Sequence, residues 1–179
     1  YFYSVAYGAE YGAQLDGIIK WDRSPTIKVF GQPSADDLAT IDTVITEISR
    51  LSQSAITMTI TESDNYDIGL YIVPQQRFKR YIKSLPSESI NGFVQLRIRN
   101  HTIQSGTILI ASNMSQRLRD HVLREEITQS LGLLNDSMEY SDSIFYEGFS
   151  LTTQFSDIDK ELISLLYSDT TYAGMPQPE

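Results

Sequence analysis

A helix that must be buried on two sides constrains this chain more than any other feature. Residues 115–134 read as helical. At about 100° per residue, Leu123, Ile127, Leu131 and Leu134 fall on one face, and Leu118, Val122 and Leu133 on nearly the opposite one. A helix apolar on two faces packs between two layers. Glu125, Glu126 and Gln129 share the second face, between Val122 and Leu133. A buried carboxylate needs a proton, a cation or several hydrogen bonds, and two neighbouring ones raise that demand. The polar stripe therefore marks either a site or a solvated groove whose acids pair with arginines such as Arg97 and Arg99.

The flanking patterns place this helix on a sheet. Ser34 suits an N-cap, with Asp36 and Asp37 in the first turn and Leu38, Ile41, Val44, Ile45, Ile48 and Leu51 at helical spacing. Strands are expected at 26–30, 55–61, 68–73, 92–98 and 107–111, where β-branched and apolar residues alternate or run together. Residues 75–85 read as helical, with a basic face of Arg77, Lys79, Arg80 and Lys83. Ser115 or Asn113 can cap the two-sided helix, and Ser156 a last helix over 157–167. Residues 1–12 read as a packed arm or short strand. The order predicts an α+β fold, a mixed twisted sheet with two long helices at about 34–51 and 115–133.

Charge and composition exclude several functions. The chain has 179 residues, the size of one domain, and a formal charge of −9. An acidic surface without a basic run disfavours nucleic acid and anionic membranes. With no cysteine there is no disulfide, thiolate metal site or cysteine nucleophile. No stretch approaches 18 apolar residues, so no membrane-spanning segment is expected. The start at Tyr1 rather than Met suggests a processed or trimmed chain.

The spacing beyond the stripe adds a frame. Gly132 follows Gln129 by three residues and Asn135 follows Gly132 by three. The string from Glu125 to Asn135 thus resembles the H-E-x-x-H-x-x-G-x-x-H motif of the metzincin metallopeptidases. Ser130-Leu131-Gly132-Leu133 is similar to the stretch those enzymes carry there. Ser143-Ile144-Phe145-Tyr146 resembles their turn beneath the metal, with Phe145 in place of methionine. Asp157-Ile158-Asp159 and Leu165-Leu166-Tyr167 resemble their C-terminal helix. The string also looks like that of a bacterial family of exported zincin-like proteins with no assigned function.

That resemblance implies a metzincin-like single domain over 1–179, with a sheet subdomain at about 14–133 and a small C-terminal helical subdomain at about 134–179. It puts Glu126 in the place of the general base. It puts Glu125, Gln129 and Asn135 at the three ligand positions, with Asp136 as a further candidate. None is histidine, so zinc is expected to bind poorly, whereas oxygen donors suit calcium or magnesium. Tyr146 is a candidate binding residue. His121 precedes Glu125 by four, a spacing used for metal pairs, but falls to the side of the stripe and reads better as solvated or capped. His101 reads as a loop or strand-edge histidine.

Three functions fit. The first is a peptide or protein ligand held in the former active-site cleft, adding to an edge strand, for which 107–111 is the candidate. The second is an unusual hydrolase with Glu126 as base and Glu125 as its acid partner or as a metal ligand. The third is a structural domain of an envelope assembly. An extracytoplasmic location, periplasmic or secreted, follows from the family resemblance.

Overall fold

The computed structural model describes residues 1–8, 15–87 and 89–178. The chain begins with a short helix α1 (Phe2–Tyr7), where a packed arm or strand was expected. Val5, Ala6 and Tyr7 are buried, so tertiary packing holds a helix too short to stand alone. Residues 9–12 of that expected arm lie outside the described residues.

Strand β1 (Thr26–Gly31) leads into α2 (Ala35–Leu51). Ser34 and Asp37 form a reciprocal capping box at its start. β2 shrinks to Thr59–Ile60, because it pairs only with Thr26 and Ile27 of β1. The preceding residues turn instead, with Gln53 and Ser54 at positive φ. β3 (Ile68–Val73) is followed by a 3-10 helix over Gln75–Arg80, shorter and tighter than the helix expected at 75–85. β4 (Gly92–Arg99) and β5 (Thr102–Ala111) form a hairpin. Its turn, Asn100-His101, holds both residues at positive φ, as a two-residue hairpin loop requires. His101 thus sits in a loop and pairs with Asp16 Oδ1 at 2.9 Å. Helices α3 (Gln116–Gln129) and α4 (Asp157–Leu166) complete the fold.

The sheet order is β2-β1-β3-β5-β4, parallel except for the β5–β4 pair. One face packs on the helices: Ile27, Leu70, Ile108 and Ile110 join Ile41, Ile48, Leu123 and Ile127 in the main core. On the other face, Val73 and Leu109 are covered by Phe78 and Ile82. This order corrects the expectation that 107–111 is the edge. Those residues lie in β5, between β3 and β4, and their apolarity on both faces marks an interior strand. The edge beside α3 is β4, whose Gln95, Arg97 and Arg99 face solvent.

α3 is clamped to α2. Arg119 Nε donates to Asp37 Oδ1 at 2.6 Å, and Arg124 pairs with Glu47. α3 ends at Gln129 rather than near 133. Its last turn tightens to Leu131 N–H on Thr128 O and Gly132 N–H on Gln129 O, and Gly132 then reverses the chain at φ +117°. Two terminal carbonyls find side-chain donors, Trp21 Nε1 on Ser130 O and Tyr167 Oη on Leu131 O. Among the described residues, no helix is long and apolar enough to cross a membrane.

Candidate functional site

The second face of α3 is shared between the core, which Val122 and Leu133 join, and a cleft, which Glu125 and Glu126 line. Its cavity of about 290 Å³ is lined by His121, Glu125, Glu126, Asp136, Tyr146 and Glu147, and by Gly92 at the start of β4. Glu126 is buried, and its carboxylate lies directly over Gly92. An ideal Cβ on Gly92 would come within 2.4 Å of both Glu126 Oε1 and Val122 Cγ1. Close approach of the strand to α3 therefore requires glycine there. Gly92→Ala should cost roughly 1–3 kcal/mol by overpacking and push the Glu126 carboxylate aside. Urea unfolding checks the first part. A loss below about 0.5 kcal/mol would show that the strand can back away.

His121 belongs to this cleft, although its helical position suggested a solvated or capped ring. It is buried. Nδ1 lies 2.7 Å from Thr152 O, and because a carbonyl oxygen only accepts, Nδ1 carries the proton. Nε2 faces Glu125 Oε2 at 3.6 Å. Burial holds the imidazole below its ordinary pKa, and the hydrogen bond to Thr152 works against that shift.

The resemblance-derived ligand positions do not all meet here. Glu125, Glu126, Asp136 and Tyr146 line the cavity, whereas Gln129 and Asn135 do not. Gln129 Nε2 donates to Asp136 Oδ1 at 3.0 Å. Asn135 turns toward α1: its Nδ2 donates to Ser4 O at 3.1 Å and to Asp136 O at 2.9 Å. Gly8 packs so tightly on Asn135 that an added Cβ would sit 2.4 Å from its Cγ. Among the described residues, no three His, Asp or Glu side chains converge as a metal ion would need.

The far wall is a pinned turn. Ser143 Oγ donates to Asp159 Oδ1 at 2.6 Å, and Ile144 N–H donates to Asp159 Oδ2 at 3.1 Å. Asp159 also closes the capping box of α4 with Ser156, and Tyr1 Oη donates to Ser143 Oγ at 2.9 Å. Phe145 is fully buried beneath, which leaves Tyr146 to face the cleft. Helix-start charge explains Asp157, which is exposed and pairs with Lys160, but Asp159 does more than charge a helix end. Several lining residues, Glu147 and Gly92 among them, were not legible as site residues. Glu147 has no motif, and Gly92 carried only the hint of a glycine opening a strand.

Comparison with known proteins fits this architecture. The chain belongs to the family described as "Protein of unknown function (DUF2927)", whose model matches residues 1–179. Among solved structures it is similar to two of myroilysin, a metallopeptidase, at 13% identity in each case. The first has a TM-score of 0.54, covering 83% of this chain and 95% of the myroilysin chain. The second has a TM-score of 0.53, covering 83% and 85%. At that identity the likeness shows a metallopeptidase-like fold and nothing about activity. No curated protein matches the chain.

Proposed function

We propose that this chain is a metallopeptidase-like protein, its zinc-ligand positions altered, that binds a peptide or protein segment in the cleft beside α3. The observation that carries this reading is the use made of two of those positions. Gln129 is committed to Asp136, and Asn135 to Ser4 and to the backbone of Asp136. A zinc ion does not fit this donor set, which offers two amides and one carboxylate where neutral imidazoles are needed. The cleft nevertheless stays lined with polar groups beside the free edge of β4, to which an extended segment can add by β-pairing. We read the chain as one domain whose parts, about 14–133 and 134–179, form the two walls. Its resemblance to exported proteins favours a site outside the cytoplasm.

A second reading, hydrolysis with Glu126 as general base, draws on Glu125, Glu126 and His121 lining one cavity. Metal analysis of purified protein, a generic peptidase assay and titration with extended peptides separate the two. The expected result is saturable peptide binding without stoichiometric zinc or turnover. Stoichiometric zinc, with hydrolysis abolished by Glu126→Gln, would sink the binding reading.

A further inference from the structure

The opposite edge of the sheet carries a second recess. β4 ends the sheet beside the α3 cleft, and β2 ends it on the other side. Between β2 and α2 lies an open groove of about 570 Å³, about twice the α3 cleft and well within the range of small-ligand sites. Its floor is apolar. Ile45 and Met58 line it as buried residues, and Ile60 lines it while staying 41% exposed. Met58 and Ile60 are two residues apart in extended chain, so both turn to the α2 side.

The strand leaves backbone groups open along this groove. Thr59 N–H bonds Pro25 O and Thr61 N–H bonds Ile27 O, both toward β1. Alternation then turns the N–H and C=O of Ile60 to the free side. Opposite charges bracket the groove. Asp42 and Arg50 are the first and last residues of α2 that line it, and both are exposed. Among the described residues neither makes an ion pair, whereas Asp37 and Glu47 of the same helix pair with Arg119 and Arg124. Arg50 follows Asp42 by eight residues, which is about 12 Å along a helix axis. An extended chain covers that distance in about three or four residues.

We propose that the groove between α2 and β2 binds a free tripeptide or tetrapeptide with apolar side chains, its amino terminus at Asp42 and its carboxylate at Arg50. A guanidinium takes a carboxylate through two parallel hydrogen bonds, and a carboxylate accepts from an ammonium group. The polarity agrees with the strand. α2 is the crossover between the parallel strands β1 and β2, so it runs opposite to both. A peptide running from Asp42 to Arg50 therefore lies antiparallel to β2, where Ile60 exchanges both backbone bonds with one of its residues. Its apolar side chains meet Ile45, Met58 and Ile60. This site is separate from the cleft beside α3 and does not depend on what that cleft holds.

Isothermal titration with the free peptides Ala-Leu-Ala and Ala-Leu-Leu-Ala tests this, and at least one should bind saturably. Acetylating its amino terminus, or amidating its carboxylate, should each weaken binding at least about fivefold, because a charge-assisted contact is lost. In Asp42→Asn the acetylation penalty should vanish while the amidation penalty stays. In Arg50→Gln the reverse is expected. Both side chains are exposed, so folding should be unchanged, which urea unfolding checks. The comparison of free and blocked peptides on unaltered protein stands even if a variant fails to fold. No saturation of either peptide by about 5 mM, or a penalty that its variant leaves intact, overturns the proposal. Equal binding of the doubly blocked peptide would assign the groove to an internal stretch of a protein chain and overturn it as well. Sedimentation showing a dimer that Ile60→Lys breaks would give the groove to a second copy, with the same consequence.

Discussion

Gly132→Ala should remove at least about 3 kcal/mol of stability, a large share of the roughly 5–15 kcal/mol that holds a typical domain. Two costs add. The residue sits at φ +117°, where an L side chain is strained, and a Cβ built there would lie 2.1 Å from Ile19 O. That contact is backbone, and it has nowhere to go. Ile18 N–H bonds Met175 O, Gly174 N–H bonds Ile18 O, and Lys20 is bonded on both sides, to His101 O and Ile103 N–H. Relieving the clash means breaking part of that ladder or reopening the end of α3. Urea denaturation followed by circular dichroism measures the loss. A penalty under about 1 kcal/mol would mean that the turn can be rebuilt without its left-handed residue.

The second large effect is expected at Asp159. Asp159→Ala should cost about 3–5 kcal/mol, the range for taking one partner out of a buried charged network. Three donors lose their acceptor together: the Ser143 hydroxyl, the Ile144 N–H and the Ser156 N–H. Asp159 is fully buried, so water does not replace it without local opening. The damage should also reach Tyr146, because the 143–146 turn is tied to α4 through this carboxylate. Denaturant unfolding reads the stability, and peptide titration of the folded fraction reads the cleft. Full stability after the substitution would show that the turn is held by Phe145 packing alone.

Local signals were legible in the sequence, and long-range ones were not. α2 was legible because its capping box and apolar spacing are contiguous. The two-sided burial of α3 was legible because the helix repeat displays both faces. β2 was not. Residues 55–58 have a strand-like pattern, but no partner extends the pairing beyond Thr59 and Ile60. The edge was not legible, because strand order depends on residues far apart in the chain. The better clue was the outward Arg97 and Arg99 of β4, charges of the kind that edge strands carry. α1 gave no helical signal, since six residues owe their helix to burial.

At the site, the motif spacing led to Glu125 and Glu126 in the cleft, with Asp136 and Tyr146 beside them. It could not show that Asn135 would be drawn toward Ser4, because that partner is 131 residues away. The burial of His121 was hidden for the same reason, since Thr152 O comes from a loop with no pattern of its own.

The attachment of α1 has a consequence for the order in which the molecule assembles. Tyr7 Oη bonds Met175 O across 168 residues, and Tyr1 Oη bonds Ser143 Oγ across 142. The β4–β5 hairpin closes over a two-residue loop, and α3 follows it directly, so these pieces can form from local chain. The loops that bring α1 to Asn135 and to Met175 are among the longest in the fold and carry the greatest closure entropy. The wall of the cleft should therefore be finished last, and competence to bind should trail behind compaction. Any ligand that holds the finished cleft then also favours the 143–146 turn and, through Tyr1 on Ser143, the docking of α1, stabilising by mass action a contact that is slow to form.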